Sequence, residues 1–172
     1  MTGYTSPYGN AAYRAASATD TPLDRQFAGK VAVVTGSTQG LGLTAVELML
    51  RRGLEGALIL GRREAEGQAA AERLSAGGRK VVYHRADLAD LDDCRSIHDR
   101  ALAEFGSYDI LVNSAGITDR GGILDGDAAL WERTFAINAR APFFLMQDAA
   151  NHWREAGKPG AIVNVATITA HG

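Results

Sequence analysis

Apolar and polar positions follow two rhythms along the chain. Short apolar runs recur at Val31-Ala32-Val33-Val34, Ala57-Leu58-Ile59-Leu60, Val81-Val82-Tyr83, Ile110-Leu111-Val112 and Ala161-Ile162-Val163-Asn164-Val165-Ala166, and each predicts a strand. The second is apolar at every position, as in a strand covered by helices on both sides. Between the runs the spacing becomes helical. Leu43, Val46, Met49 and Leu50 predict a helix ending at Arg51-Arg52-Gly53, where cations suit the negative helix end and glycine suits a left-handed cap. Glu64 to Ala76, rich in Ala, Glu and Arg, predicts a second helix closed by Gly77-Gly78. Asp90 predicts an N-cap with Asp93 near the capping-box position. The helix it opens carries Cys94, Ile97, Ala101, Leu102 and Phe105 on one face and stops at Gly106. A long helix is expected from about Asp127 to about Glu155.

Strands alternating with helices predict an α/β fold, a Rossmann-like doubly wound parallel sheet with right-handed crossovers and strand order 3-2-1-4-5. A ligand of such a sheet is expected across the carboxyl ends of the strands, where the winding reverses between strands 1 and 4. The 172 residues make one domain's worth of chain, without internal repeats or a dividing linker. Residues 1–26 are expected to form a flexible arm, since the opening stretch is mostly Tyr, Ala, Ser, Thr and Gly, and residues 27–172 the folded unit.

Composition changes this picture little. A net charge of -2 gives no reason to expect nucleic acid or an anionic membrane as partner. No apolar run approaches the roughly 20 residues needed to cross a bilayer, and the start lacks the pattern of a signal peptide. The single cysteine, Cys94, cannot form an internal disulfide and falls among apolar helix positions, which suits a core residue in a reducing, cytoplasmic setting. His84, His98, His152 and His171 show no metal-ligand spacing, so no metal is expected.

The chemistry concentrates in Thr35-Gly36-Ser37-Thr38-Gln39-Gly40-Leu41-Gly42, between the first strand and the first helix. Gly36 can take backbone angles that a Cβ forbids. Gly40 and Gly42 leave room for a pyrophosphate and for close packing of helix on sheet, and the opening helical turn offers N–H groups and the positive end of its dipole. The spacing Gly-x3-Gly-x-Gly behind Thr35 resembles that of the short-chain dehydrogenase/reductase family. The resemblance implies a dinucleotide bound by Gly36, Ser37, Thr38, Gln39, Gly40, Leu41 and Gly42. At the end of the second strand, an acid would accept hydrogen bonds from the adenosine ribose hydroxyls and repel a 2′-phosphate. This chain has Gly61-Arg62-Arg63 there, and two guanidiniums suit a phosphate. NADP(H) is therefore expected over NAD(H), which remains possible. The same arginines can instead serve as a solvated face at a helix start.

Further stretches extend the resemblance over residues 27 to 172. Asp87, with Leu88 beside it, matches the family's position for contacting the adenine amino group, although an Asp here can also cap a turn. Asn113-Ser114-Ala115-Gly116 resembles the family's Asn-Asn-Ala-Gly motif, with Ser114 in place of the second Asn, and implies that Asn113, Ala115 and Gly116 lie by the cofactor. Pro142 has no N–H for the carbonyl four residues back, that of Asn138, at a local cost of about 3 kcal/mol. The resemblance gives Asn138 a catalytic place, its carbonyl holding a water in a proton relay; otherwise the kink only wraps the helix around the core. It also places Thr167, with Thr169 nearby, where the family has a serine that hydrogen-bonds the substrate oxygen. The loop Thr118 to Asp125 is expected to border the substrate pocket.

The family's Tyr-x-x-x-Lys pair is not found: none of Tyr4, Tyr8, Tyr13, Tyr83 and Tyr108 has a lysine four residues on. The expected sheet is thus truncated after the fifth strand, whose apolar edge would be bare. A companion C-terminal chain or missing segment is expected to carry the pair and the rest of the fold. The resemblance implies an oxidoreductase for small-molecule alcohols and carbonyls, commonly a homo-oligomer, tetramer or dimer. A non-catalytic dinucleotide-binding or regulatory module is the alternative.

Overall fold

A computed structural model describes residues 22–118, 124 and 126–167. Five strands form one sheet: β1 (Val31–Val34), β2 (Gly56–Gly61), β3 (Lys80–Arg85), β4 (Ile110–Asn113) and β5 (Ala161–Asn164). Their order is β3-β2-β1-β4-β5 and every neighbouring pair is parallel. Val33 of β1 sits beside Leu58 of β2 and Leu111 of β4. The connecting helices are α1 (Gly40–Arg51), α2 (Glu64–Ser75) and α3 (Leu91–Phe105), followed by α4 (Ala128–Phe135), a π-helical turn (Ala136–Arg140) and α5 (Ala141–Glu155).

Side chains alternate across a strand, so each apolar run feeds two cores. Val33, Leu58, Leu60 and Leu111 pack with Cys94, Ile97 and Ala101 of α3 and with Leu145, Ala149 and Trp153 of α5. Ala32, Val34, Ala57, Ile59 and Val112 pack on the other face with Val46 and Met49 of α1 and Ala70 and Ala71 of α2. Each fully buried Leu, Ile or Val contributes about 1.5–3 kcal/mol. Cys94 is 1% exposed, and burial pushes its thiol up to about 11, the behaviour of a core residue.

Four features differ from the sequence expectation. The long helix is not continuous. It widens into the π turn just before Pro142, and the Ala141 N–H bonds the Ala136 carbonyl five residues back. Asp90 caps α3 as expected, accepting from the Asp92 and Asp93 N–H groups at 2.8 and 3.1 Å. Asp93, however, does not close a capping box. The Asp90 N–H is already satisfied by the Asp87 carbonyl, and the Asp93 carboxylate accepts from the Asp87 N–H at 2.7 Å instead. The expected arm lies outside the described residues as far as residue 21. Its last part is folded: Leu23–Arg25 form a 3-10 turn, and Gln26 accepts from the Arg52 guanidinium at 2.8 Å. Finally β5 is shorter than its apolar run. Among the described residues it pairs with β4 alone, leaving Ile162, Val163 and Val165 exposed.

Among the described residues, no helix is long and apolar enough to cross a membrane.

Candidate functional site

A cleft of about 470 Å³ lies across the carboxyl ends of the strands. Its walls come from the segments after β1 (Gly36, Thr38, Gln39, Leu41, Gly42), β2 (Arg62, Arg63), β3 (Ala86, Asp87, Leu88) and β4 (Ser114 to Ile117), with Val165 beyond β5. The glycines make this floor possible. Gly36 has φ +63°, and a Cβ there would stand 2.8 Å from the Ala115 Cα. A Cβ on Gly42 would stand 2.5 Å from the Gly36 carbonyl oxygen, so this glycine lets the turn close on the start of α1. Two helices outside the glycine turn, α3 and α4, are capped by aspartate side chains, Asp90 and Asp127, and α3 adds Asp92 and Asp93 in its first turn. The start of α1 has neither a side-chain cap nor an acid. Its N–H groups and dipole therefore suit an anion in the cleft.

The cleft walls are held from behind, mainly through the main chain. Thr35, 1% exposed, accepts at Oγ1 from the Ser114 and Ala115 N–H groups, each at 3.1 Å. This ties the segment after β4 to the glycine turn. Asn138, in the π turn, clasps Ile117 at both ends: its Nδ2 donates to the Ile117 carbonyl at 2.7 Å and its Oδ1 accepts from the Ile117 N–H at 2.9 Å. Ser37 is fully buried; its hydroxyl bonds the Val34 carbonyl and accepts from the Leu60 N–H at 3.0 Å. Asn113 is also buried, donating to Asn164 Oδ1 at 2.8 Å across to β5.

One end of the cleft is charged. Arg62 and Arg63 follow β2, and both are exposed. Arg63 is engaged by the Gln39 side-chain carbonyl and by Glu66 at 3.1 Å. Asp87 accepts from the Ala89 N–H at 3.0 Å and from Arg133 of α4 at 3.4 Å. Burial pushes its carboxyl up, but the Ala89 amide, Arg133 and Arg62 outweigh it and hold the group below its ordinary value. Asp87 thus closes a turn and also lines the cleft as an ionised carboxylate.

Most of the expected site residues meet here. Gly36, Thr38, Gln39, Leu41, Gly42, Arg62, Arg63, Asp87, Leu88, Ala115 and Gly116 line the cleft. Ser37, Gly40, Asn113, Asn138 and Thr167 do not. Ser37 and Asn113 are turned inward and brace the sheet, Gly40 supplies a φ of +58° to the turn, Asn138 acts on Ile117, and Thr167 is exposed beyond β5. Thr169 and most of the expected pocket loop lie outside the described residues. Ile117 and Ile137 line the cleft without having been singled out, as does Val165. Ile137 inside a helix and Ile117, four residues past β4, carry no local mark of a ligand, whereas Val165 directly follows the carboxyl end of β5, where a ligand of such a sheet is expected.

The family model described as short chain dehydrogenase matches residues 30–172. The 2-dehydro-3-deoxy-D-gluconate 5-dehydrogenase of Escherichia coli (strain K12) is 37% identical over 140 residues, which cover 81% of this chain and 54% of that protein. L-Sorbose reductase from Gluconobacter frateurii, solved with NADPH and L-sorbose, superposes with a TM-score of 0.80 at 29% identity, over 86% of this chain and 56% of that one. A short-chain dehydrogenase from Sphingobium yanoikuyae, in complex with NADPH, gives 0.76 at 30% identity, over 83% and 56%. The chain thus spans about half the length of these relatives. With its parallel sheet, its glycine turn and this match across almost all the folded residues, the chain belongs to the short-chain dehydrogenase/reductase family.

Proposed function

We propose that residues 27–172 form the dinucleotide-binding portion of an NADP(H)-dependent oxidoreductase that interconverts a secondary alcohol and a ketone by hydride transfer. The observation that carries this reading is the meeting, in one cleft, of the uncapped start of α1 with Arg62 at the end of β2. The diphosphate is assigned to the turn from Gly36 to Gly42, whose close approach to Ala115 and to the start of α1 requires glycine at 36 and 42. The 2′-phosphate is assigned chiefly to Arg62, because Arg63 is already shared between Gln39 and Glu66. Asp87 and Leu88 are assigned to the adenine end, and Ala115 and Gly116 to the stretch along the cofactor. The NADPH complexes of the two structural neighbours agree with this choice. NAD(H) would bind the same cleft more weakly.

The nicotinamide, when bound, supplies or accepts the hydride. This chain's residues bind, orient and handle protons. Asn138 is assigned to a proton relay through its main-chain carbonyl, which Pro142 cannot satisfy. Thr167, two residues past the cleft-lining Val165, is assigned to the substrate oxygen. Neither described tyrosine suits the acid/base role. Tyr108 is buried before the first residue of β4, at the far end of the sheet, and the Tyr83 hydroxyl is bonded to the Gly61 carbonyl. We assign that role to further polypeptide carrying Tyr-x-x-x-Lys and packed on the exposed side of β5. The exposed Trp131, Phe135 and Phe143 on α4 and α5 fit a contact between copies in a homo-oligomer, and the single buried Cys94 fits a reducing, cytoplasmic setting.

Titration of the full chain with NADPH and NADH tests the cleft. NADPH is expected to bind more tightly, and Arg62→Ala to weaken NADPH by about tenfold or more with little change for NADH. A preference for NADH overturns the NADP(H) assignment, and binding of neither overturns the site. Assay of the complete protein on a panel of secondary alcohols tests turnover; binding without turnover favours the non-catalytic module.

A further inference from the structure

Tyr83 stands on β3 with its ring against α2, behind the arginine-bearing end of the cleft. A Cβ on Gly67 of α2 would lie 2.1 Å from a carbon of that ring. Glycine weakens a helix interior, so its presence at 67, where it is buried, has a reason in the ring it admits. From this seat the Tyr83 hydroxyl donates to the Gly61 carbonyl at 2.9 Å. The Ala86 N–H reaches the same oxygen at a longer 3.3 Å, so the phenol is the closer of the two fasteners. On another side Gly61 meets Thr38, whose side chain would lie 2.7 Å from a Cβ there. The residue held in this way immediately precedes Arg62 and Arg63. Burial pushes the phenol above its ordinary value and Glu64 adds to this, so the hydroxyl remains a donor across the neutral range.

We propose that Tyr83 is a positioning residue which fixes the turn from Gly61 to Arg63 and so sets how strongly the cleft favours a dinucleotide carrying a 2′-phosphate over one without it. The inference rests on the NADP(H) reading above and deepens it. A guanidinium binds phosphate well only when its forked donors are held at the right distance and angle. A tether at the main chain one residue before Arg62 restricts where that fork can start. A dinucleotide lacking the 2′-phosphate makes no use of the fork and should be indifferent to the tether.

The test is Tyr83→Phe in the full chain, which keeps the ring and removes one oxygen. Dissociation constants are measured for NADPH, NADH, 2′,5′-ADP and 5′-ADP, with the thermal midpoint as control. NADPH and 2′,5′-ADP are expected to weaken about fivefold, the effect of one neutral hydrogen bond. NADH and 5′-ADP should stay within about twofold, a change too small to count as a lost contact. In an Arg62→Ala background the same substitution should have no further effect, since coupled residues lose their interaction once. Gly67→Ala keeps the hydroxyl but takes the ring's place, and it should narrow the preference in the same direction. Equal weakening of all four ligands would mark Tyr83 as a general structural residue and overturn the proposal, as would unchanged affinities in both variants. A wild-type chain that does not favour NADPH removes the underlying reading, a result distinct from a retained preference in Tyr83→Phe.

Discussion

At the amino end of β4, Ser107, Tyr108 and Asp109 are locked in place by side chains, whereas at its carboxyl end Ser114 to Ile117 are held through their main chain. The amino end is saturated. Lys158 donates to the Ser107 hydroxyl at 2.7 Å, and that hydroxyl meets His152 Nε2 at 2.9 Å. Tyr108 stacks on His152 with centroids 5.4 Å apart, its hydroxyl lies 3.1 Å from His98 Nδ1, and its carbonyl accepts from Trp153 Nε1 at 2.7 Å. Asp109 bridges Lys158 at 3.1 Å and Lys30 at 3.4 Å. At the carboxyl end, Thr35 and Asn138 grip N–H and C=O groups from behind. The wall in front is left to glycine, small residues and apolar side chains such as Ile117 and Ile137, with exposed guanidiniums after β2. One strand therefore shows both ways of finishing a sheet: side chains that satisfy one another make a closed end, and clamps on the main chain from behind leave an open cleft in front.

The comparison can be broken by changes confined to one end. The largest effect is expected from Trp153→Ala, which empties a buried site and orphans the Tyr108 carbonyl: about 3–5 kcal/mol of stability lost in denaturant unfolding. Dinucleotide affinity of the remaining folded protein should be unchanged, and a parallel fall would show that the two ends are coupled. Gly42→Ala should do the reverse. Its Cβ would meet the Gly36 oxygen at 2.5 Å, so the turn must shift. Overpacking of this kind costs about 1–3 kcal/mol, and dinucleotide titration should show affinity falling by about tenfold or more, one 1.4 kcal/mol step per decade.

Asn138→Ala removes both bonds to Ile117. At an exposed site this should cost about 1–2 kcal/mol, with faster hydrogen exchange at the Ile117 amide as its local sign. Because the main-chain carbonyl of residue 138 stays, any loss of turnover beyond the loss of order would show that the side chain matters for more than holding Ile117. The smallest effect is expected from pH at the closed end. Burial, then His98, then Lys158 hold His152 below its ordinary value. The unfolded chain then binds more protons than the folded one, so this contribution is complete above the ordinary histidine value of 6.5 and is lost as pH falls below it. Thermal midpoints measured from pH 7.5 down to 5.5 should decline, and less steeply in His152→Gln; an unchanged slope would remove His152 from the account.

Much of this molecule was legible locally. The five apolar runs gave five strands; at β1, β2 and β4 burial on both faces leaves an unbroken apolar stretch, a mark that needs no knowledge of the neighbours. Asp90 reads as a cap because its partners, Asp92 and Asp93, are two and three residues away. The disturbance around Asn138 could be read from Pro142, since a missing N–H acts four residues back wherever the helix lies. The family resemblance rested on the same kind of feature, a glycine turn between a strand and a helix.

What tertiary structure alone decided are the pairings between residues far apart in the chain. Ser37 and Asn113 were expected at the cofactor, and the fold turned both inward, where they join β1 to β2 and β4 to β5. The two arginines look equivalent side by side; Glu66 is a local partner three residues on from Arg63, but the approach of Gln39 from 24 positions away needed the fold. Thr35 finds the Ala115 amide 80 positions away, and Tyr83 finds Gly61 at 22. Short-range order follows from the geometry of the backbone, which each residue carries with it. These longer contacts exist only because the parallel crossovers bring the carboxyl ends of separate strands to one place, and that convergence is what makes the cleft.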